Sequence, residues 1–409
     1  MKNISLLALA VVAAMTATAQ PNVVKDAERA MKAGDPADKV AEIIKPALTD
    51  PATAQNAQTW YIPGKAAFGQ YDKLLGLKQF NQLKDGDNLK MGDLLISGFG
   101  YYEKALPLDT VVDAKGKVKT KYSKDIVSTL SGHLADFSNA GVEMYNAQKY
   151  DQAYELWGIF CKLPEIPAVK ESLEKNKQLP VDTVFGEIAF NQALAAWQNE
   201  KLPNALKAFD YARKHAYNKK QLYDYAIAVA SGMNDSIAIL DYAKEALPLF
   251  GKEDPMYMGQ IVNYYLQKKD FDDAFTTINQ AIQSDPSTAQ YYVIRGVLYE
   301  NTGKRAEATQ DYIKARELDP KNADAVYNYG RLLCEEAYAL NDQAPTAQDE
   351  YNKYYAEKIK PLFLKAVDIL EEAYTLNPDN MDTLRYLENV YYNLNDEAKL
   401  EDVRNRMKL

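Results

Sequence analysis

The chain has few of the residues on which small secreted folds and metal sites depend. Its 409 residues include two Cys, two His and three Trp. Cys161 and Cys334 are too few for a disulfide framework, so they are either two buried thiols or one long-range disulfide, and both alternatives stay open. His133 and His215 stand alone, without the spacing of a metal-binding pair. The sequence therefore predicts no bound metal.

The chain also lacks an excess of basic residues. The chain has 57 acidic and 48 basic residues, which gives a formal net charge of −9. Proteins whose main partner is a nucleic acid usually carry a strongly basic face, so we expect no nucleic-acid partner. Beyond the first 19 residues no apolar run is long enough for a membrane-spanning helix, so we expect no membrane span.

The motifs of common enzyme classes are missing as well. The sequence contains no H-E-x-x-H, no G-x-S-x-G and no Walker loop. Gly98-Phe99-Gly100 resembles the start of a dinucleotide loop, but Glu103 stands where the third glycine belongs. Asp270, Asp272 and Asp273 are better explained as the charged start of a helix than as a calcium site. The sequence predicts a protein without catalytic activity and without a cofactor.

The first 19 residues have the pattern of a cleaved signal peptide. One Lys precedes the apolar run from Ile4 to Met15, and Ala17-Thr18-Ala19 is a small-residue cleavage signal. This segment is similar to the signal peptides of Gram-negative Bacteroidota. We therefore expect export to the periplasm with Gln20 as the new N-terminus, and release from the cell stays open as an alternative.

What the chain does contain is a repeat, clearest in YYVIRGVLYENTGKRAEATQDYIKARELDP at residues 291–320. Its Gly and Ala residues let two antiparallel helices cross closely, its Tyr residues fill the space beside the crossing, and its Pro ends the second helix. The residues at the diagnostic offsets are Tyr292, Gly296, Tyr299, Ala308, Tyr312, Ala315 and Pro320. On these residues the chain resembles the tetratricopeptide repeat family.

The pattern recurs with a period of 34 residues. Pro286 and Ala281 precede Pro320 and Ala315 by this distance, and Gly330 follows Gly296 by it. Residues 255–288 and 289–322 are therefore predicted repeats, and another begins at 323. The next spacing, from Pro320 to Pro378, is 58, which is 34 + 24 and predicts an insertion near residues 339–360. It is either a tolerated surface insertion or a lid on a binding groove.

The resemblance implies an all-α fold, an α-solenoid of stacked antiparallel helix pairs. We expect the array at residues 125–409, with a charged capping helix at its end. Residues 20–124 are predicted to form irregular helix pairs, with a short additional helix at 71–83. Alternating β-formers and charges predict one small β-hairpin near residues 110–123, which either covers the joint to the array or contacts a partner as a basic ribbon.

In this family the first helix of each repeat lines a concave groove through repeat positions 2, 5, 9 and 12. Arg331, Arg385 and Asn389 are then expected to hold a carboxylate or a peptide backbone. The candidate groove residues implied by the resemblance are Phe190, Trp197, Asn263, Glu300, Tyr327, Arg331, Arg385, Asn389 and Tyr392.

These observations favour a non-catalytic periplasmic scaffold or adaptor that binds a protein or peptide segment in its groove. The alternative is a soluble binder of glycans or other small ligands of the cell envelope, since the 30 Tyr residues offer rings for stacking on sugars. The identity of the partner and the oligomeric state are not determined by the sequence.

Overall fold

The computed structural model describes residues 22–112 and 118–408, and the predicted signal peptide lies outside them. The described chain divides into two compact units, and the boundary between them in the sequence falls after Met233.

The N-terminal unit is built from helices joined by short connections. They are α1 (22–33), α2 (Ala37–Thr49), α3 (Ala57–Gln79), α4 (Asp87–Leu108), α5 (Ser123–Gly132), α6 (Leu134–Asn146), α7 (Tyr150–Lys162), α8 (Pro167–Lys175), α9 (Asp182–Gln198), α10 (Leu202–Lys214) and α11 (Lys220–Gly232). A short 3₁₀ turn, Leu163–Glu165, precedes α8. The most extensive packing is between consecutive partners, α3 with α4, α6 with α7 and α9 with α10, as stacked helix pairs require.

Two features of residues 20–124 bear on the sequence predictions. Gly34, with φ +77°, ends the first helix before Pro36, as the Gly-Asp-Pro break predicts. The predicted short helix at 71–83 was wrong, because one continuous helix, α3, runs from Ala57 to Gln79. A Cβ at Gly76 would meet no atom within 4 Å, so this glycine is not required by close packing.

The segment predicted to form a β-hairpin carries two strands of two residues each. Strand β1 (Val111–Val112) pairs antiparallel with β2 (Val118–Lys119), and residues 113–117 between them lie outside the described residues. Asp109, just before β1, is 3% exposed and accepts hydrogen bonds from the backbone N–H groups of Lys121, Tyr122 and Ser123. This carboxylate ties the end of α4 to the start of α5.

The C-terminal unit continues the alternation of helices. They are α12 (Ser236–Phe250), α13 (Met256–Lys268), α14 (Phe271–Ser284), α15 (Ala289–Asn301), α16 (Arg305–Leu318), α17 (Ala323–Asp342), α18 (Gln348–Tyr354), α19 (Lys360–Leu376), α20 (Met381–Asn393) and α21 (Glu397–Arg406). A five-residue π turn, Tyr355–Ile359, joins α18 to α19. In α21 Val403 is buried, Leu400 packs partly buried against the core, and most other residues are polar, which suits the end of a stack.

The turns between paired helices repeat one backbone conformation. Lys269, Gly303 and Asn395 all adopt positive φ, at +56°, +76° and +56°. Lys269 and Gly303 are 34 residues apart, so the period seen in the sequence is also a period of the backbone. Glycine is therefore not required at this turn. The residue type at this position accordingly helps little in recognising the repeat from the sequence.

Candidate binding face of the C-terminal unit

Paired helices of this unit cross at short distances, and glycines lie at two of these crossings. A Cβ added at Gly296 on α15 would lie 2.6 Å from Tyr312 on α16, and one at Gly330 on α17 would lie 2.8 Å from Leu370 on α19. Real Cβ contacts are longer than this, so each crossing requires glycine. The crossings of α15 with α16 and of α17 with α19 therefore depend on Gly296 and Gly330.

Arg331 on α17 is the centre of a charged network between two repeats. Its guanidinium donates to Glu300 of α15 at 2.6 Å and to Glu335 of its own helix at 2.7 Å. Arg331 and Glu300 are 18% and 19% exposed. Glu300 also accepts from the hydroxyl of Tyr312, and Arg305 reaches the second oxygen of Glu335 at 3.0 Å. The network joins α15, α16 and α17.

The charges in this network are matched. Burial alone would lower the pKa of Arg331, but the hydrogen bonds and negative charges of Glu300 and Glu335 outweigh burial and raise it. Arg331 is thus a permanent cation already neutralised by two carboxylates. It is not available to hold a ligand carboxylate, which corrects the role predicted for it.

The remaining predicted residues of α20 lie apart from this network. Arg385 pairs with Asp382 at 2.6 Å, and both side chains are exposed. Asn389 is exposed, and its backbone carbonyl accepts from the amide of Asn393. Tyr392 is 65% exposed. Asn263 on α13 is exposed as well. These side chains are open to a partner, whereas Arg331 and Glu300 are committed to the fold.

Tyr386 and Glu335 belong to the same face, although the repeat positions did not indicate either of them. Tyr386 of α20 meets the edge of Tyr327 at a centroid distance of 6.2 Å, and its hydroxyl lies 3.5 Å from Glu335. Burial and the neighbouring Tyr386 raise the pKa of Tyr327 to about 12, so its hydroxyl stays protonated. Position 12 of this repeat is the fully buried Cys334. The spacing of four between Arg331 and Glu335 is the signal that could have identified Glu335.

In the N-terminal unit, Phe190 is not a groove residue. It is 6% exposed and packs against Phe209, Tyr217 and Tyr225, with ring centroids 5.8, 5.0 and 6.1 Å away. The prediction for Phe190 was wrong because the neighbouring helices cover it on this side of α9. Trp197 is half-buried, and its ring lies 5.3 Å from Tyr225.

The insertion forms the longer ends of α17 and α19 together with α18. The rings of Tyr351 and Tyr355 stack at 6.1 Å. Tyr355 donates to the backbone carbonyl of Asn393 at the end of α20, at 2.6 Å, and Tyr351 donates to Asn341 at 2.9 Å. The insertion is therefore attached to its own repeat and to the next one through these two tyrosines.

Other chemistry is limited in the part of the chain that the structure describes. No group of three or more His, Cys, Asp or Glu side chains there could hold a metal ion. No helix within residues 22–112 and 118–408 is both long and apolar enough to cross a membrane. Cys161 and Cys334 are free and buried, so the thiol alternative holds.

The family model of the tetratricopeptide repeat matches residues 289–322. These residues are a tetratricopeptide repeat. The match coincides with the repeat predicted from Gly296, Ala308 and Tyr312, and it confirms that prediction. The helix pairs on both sides have the same alternation of first and second helices.

Similar proteins share this repeat character. The chain is 25% identical over 124 residues to the F-box/TPR repeat protein pof3 of Schizosaccharomyces pombe, which covers 30% of this chain and 22% of pof3. The match thus spans about a fifth of that relative. The chain is 21% identical to YrrB, described as a TPR protein with an unusual peptide-binding site, over 53% of this chain and 95% of that one, with a TM-score of 0.30. It is 15% identical to the C-terminal part of a TPR repeat-containing protein from Cytophaga hutchinsonii, over 66% and 93%, with a TM-score of 0.37.

Proposed function

We propose that the chain is a non-catalytic scaffold or adaptor that binds a segment of a partner protein along the first helices of its C-terminal unit. The observation that carries this proposal is the tetratricopeptide repeat at residues 289–322, continued by helix pairs before and after it. Stacked repeats present long surfaces that suit extended peptides and helices. The exposed residues Asn263, Arg385, Asn389 and Tyr392 are the proposed contacts.

Charge narrows the chemistry of the partner. Residues 234–409 contain 31 acidic and 20 basic residues, a net charge of −11, whereas residues 1–233 contain 26 and 28, a net charge of +2. Arg331 is neutralised by Glu300 and Glu335. A neutral or basic segment is therefore favoured over an acidic one, and a nucleic acid is disfavoured by repulsion.

The proposed compartment is the periplasm, and it depends on the signal-peptide pattern of residues 1–19. Expression in a Gram-negative host, followed by fractionation and N-terminal sequencing of the mature protein, tests it. A chain that begins at Gln20 in the periplasmic fraction supports export. A cytoplasmic chain that retains Met1 or Lys2 contradicts it.

A crosslinked pull-down from the native envelope fraction tests the binding face. The test variant is Arg385→Ala combined with Tyr392→Ala, both on α20 and both exposed. The matched control is Leu364→Ser, which changes a 50% exposed side chain on the second helix α19. We expect one protein partner to be lost in the double variant and kept in the control.

Capture of the same partner by all three forms contradicts the proposed face. Capture of no protein by any form contradicts the scaffold function and favours the glycan-binding alternative, for which a glycan array is the direct assay.

A further inference from the structure

A separate cavity lies in the N-terminal unit, among α7, α8, α9 and α10. Its volume is about 380 Å³, which is in the range of small-ligand pockets. Much of its wall is apolar or aromatic, formed by Pro164, Leu179, Pro180, Phe185 and Tyr211. The cavity is distinct from the candidate binding face of the C-terminal unit.

His215, at the end of α10, is the fixed polar group of this cavity. Its Nδ1 lies 2.7 Å from a carboxylate oxygen of Asp182. Tyr211 stacks on the imidazole with ring centroids 4.1 Å apart, and Phe185 meets it edge-on at 6.2 Å. The ring is therefore held on one face, along one edge and at one nitrogen.

The hydrogen-bond partner of Nδ1 determines whether Nε2 is a donor or an acceptor. An ionised carboxylate only accepts hydrogen bonds, so Nδ1 carries the hydrogen, and in the neutral imidazole Nε2 is an acceptor. Among the described residues, no side chain or backbone group makes a hydrogen bond to Nε2 of His215. Nε2 of His215 is thus an acceptor without a protein donor among the described residues.

The backbone around His215 is arranged for this geometry. A Cβ at Gly186 on α9 would lie 2.6 Å from the carbonyl oxygen of His215, so glycine is needed where the end of α10 approaches α9. The hydroxyl of Tyr211 donates to the carbonyl of Cys161 at 3.3 Å, which fixes the orientation of the stacked ring.

The other polar groups of the wall do not favour an ionic ligand. Glu165 and Lys170 carry opposite charges, and Asp182 is paired with His215. The thiol of Cys161 is 5% exposed and lies 3.9 Å from the carbonyl oxygen of Phe185. It is packed as a buried thiol.

We propose that this cavity binds a phenol, whose ring packs on the aromatic and proline wall while its hydroxyl donates to Nε2 of His215. A phenol matches both features, because it is a flat apolar ring with one good donor. The ligand is either a free phenolic molecule or the side chain of a tyrosine. These two sources present the same chemistry to the cavity.

The test uses the full chain with isotope-labelled histidine. The chain has two histidines, so the imidazole NMR spectrum contains two sets of signals, and His133 serves as an internal control for the fold. We expect p-cresol to shift the signals of His215 in a saturable manner and to leave those of His133 unchanged. The methyl ether 4-methylanisole has the same ring without the donor, and we expect it to bind about tenfold more weakly.

A second ligand and a variant complete the test. N-acetyl-tyrosinamide separates the two sources: binding of p-cresol alone indicates free phenols, and binding of both indicates tyrosine side chains, and either result supports a phenol site. In His215→Phe, which keeps an aromatic ring but removes the acceptor, we expect calorimetry to show no preference for p-cresol over 4-methylanisole. Asp182→Ala, which frees Nδ1, is expected to weaken the preference without removing the cavity wall.

Two results would overturn the proposal. One is the absence of any shift of His215 with either phenol at millimolar concentration while His133 reports a folded protein. The other is equal binding of p-cresol and 4-methylanisole to the unmodified chain.

Discussion

Arg331 of α17 and Glu300 of α15 connect two successive repeats through a hydrogen-bonded ion pair of 2.6 Å between mostly buried side chains. A second carboxylate, Glu335, lies on the other side of the same guanidinium at 2.7 Å. Removing this cation leaves Glu300 without a cationic partner among the described side chains and Glu335 with Arg305 alone, which costs more than the ion pair contributes when it is intact.

We therefore expect Arg331→Ala to lower the free energy of unfolding of the C-terminal unit by about 3 kcal/mol. Arg331→Lys keeps the charge but lacks the planar fork that reaches both carboxylates, so its loss should be smaller. Urea titration followed by circular dichroism measures both. The control is Arg385→Ala, an exposed arginine paired within its own helix, which should change stability little. Equal effects of the two alanine variants would contradict the assigned role of Arg331.

Gly296 tests how closely the helices of one repeat must cross. A Cβ there would lie 2.6 Å from the ring of Tyr312, which is fully buried. We expect Gly296→Ala to destabilise the protein by about 1–3 kcal/mol through overpacking. Gly259 on α13 is the matched control, because a Cβ there would meet no atom within 4 Å. Gly259→Ala should instead stabilise by roughly 0.5–1 kcal/mol through helix propensity. Thermal unfolding of the pair separates packing from propensity, and a shared sign would contradict the crossing.

We expect Asp109 to contribute to the loss of folding stability at acid pH. Burial would raise its pKa, but hydrogen bonds from the hydroxyl and amide of Ser123 and from the amides of Lys121 and Tyr122 outweigh burial and lower it. Because its pKa is lower in the folded state, its stabilisation is full above the ordinary value of about 3.9 and is lost as the pH falls through the folded value. Asp109→Asn should therefore lower the melting temperature at pH 7 and make it less dependent on pH below about 4.

Melting curves from pH 7 to pH 2 measure this dependence. The control is Asp38→Asn, which changes an exposed carboxylate whose hydrogen bond is to the adjacent amide of Lys39. Parallel curves for Asp109→Asn and the unmodified protein would show that Asp109 contributes no pH dependence.

The two thiols should be unreactive in the folded protein. Burial and the nearby Glu165 raise the pKa of Cys161 to about 12, and burial and Glu335 raise that of Cys334 to about 12. The reactive thiolate is therefore rare at pH 7. Titration with an aromatic disulfide reagent should modify neither cysteine before unfolding and both in 6 M guanidinium. Rapid modification of the native protein would show that one of the thiols is accessible.

The repeat could be predicted from the sequence because its determinants are local and recur. Gly296 and Tyr312 meet within one helix pair, and their spacing is set by the length of two helices and one turn. The same spacing is imposed on every regular repeat, so chance agreement becomes improbable after two periods.

The candidate binding face could be predicted only in part, because it depends on contacts between repeats. Phe190 occupies a nominal groove position, but Tyr217 and Tyr225 cover it, and both come from segments later in the chain. Tyr386 joins the face through Tyr327, which precedes it by 59 residues and an insertion. The position of a residue within its repeat does not determine which side chains of the next repeat cover it. Repeat position alone therefore could not show that Phe190 is buried or that Tyr386 is partly exposed.

The π turn at Tyr355–Ile359 makes the number of residues in the insertion decide where the side chains of α18 point. A π turn holds one residue more than an α-turn, and each residue of a helix rotates its side chain by about 100° around the axis. Without that extra residue, Tyr351 would point to another side of the helix relative to α19, away from Asn341, to which it donates a hydrogen bond. In this segment the number of residues therefore determines the direction of the side chains. A single-residue deletion within 355–359 would turn the tyrosines of α18 to another side of the helix without changing any of them.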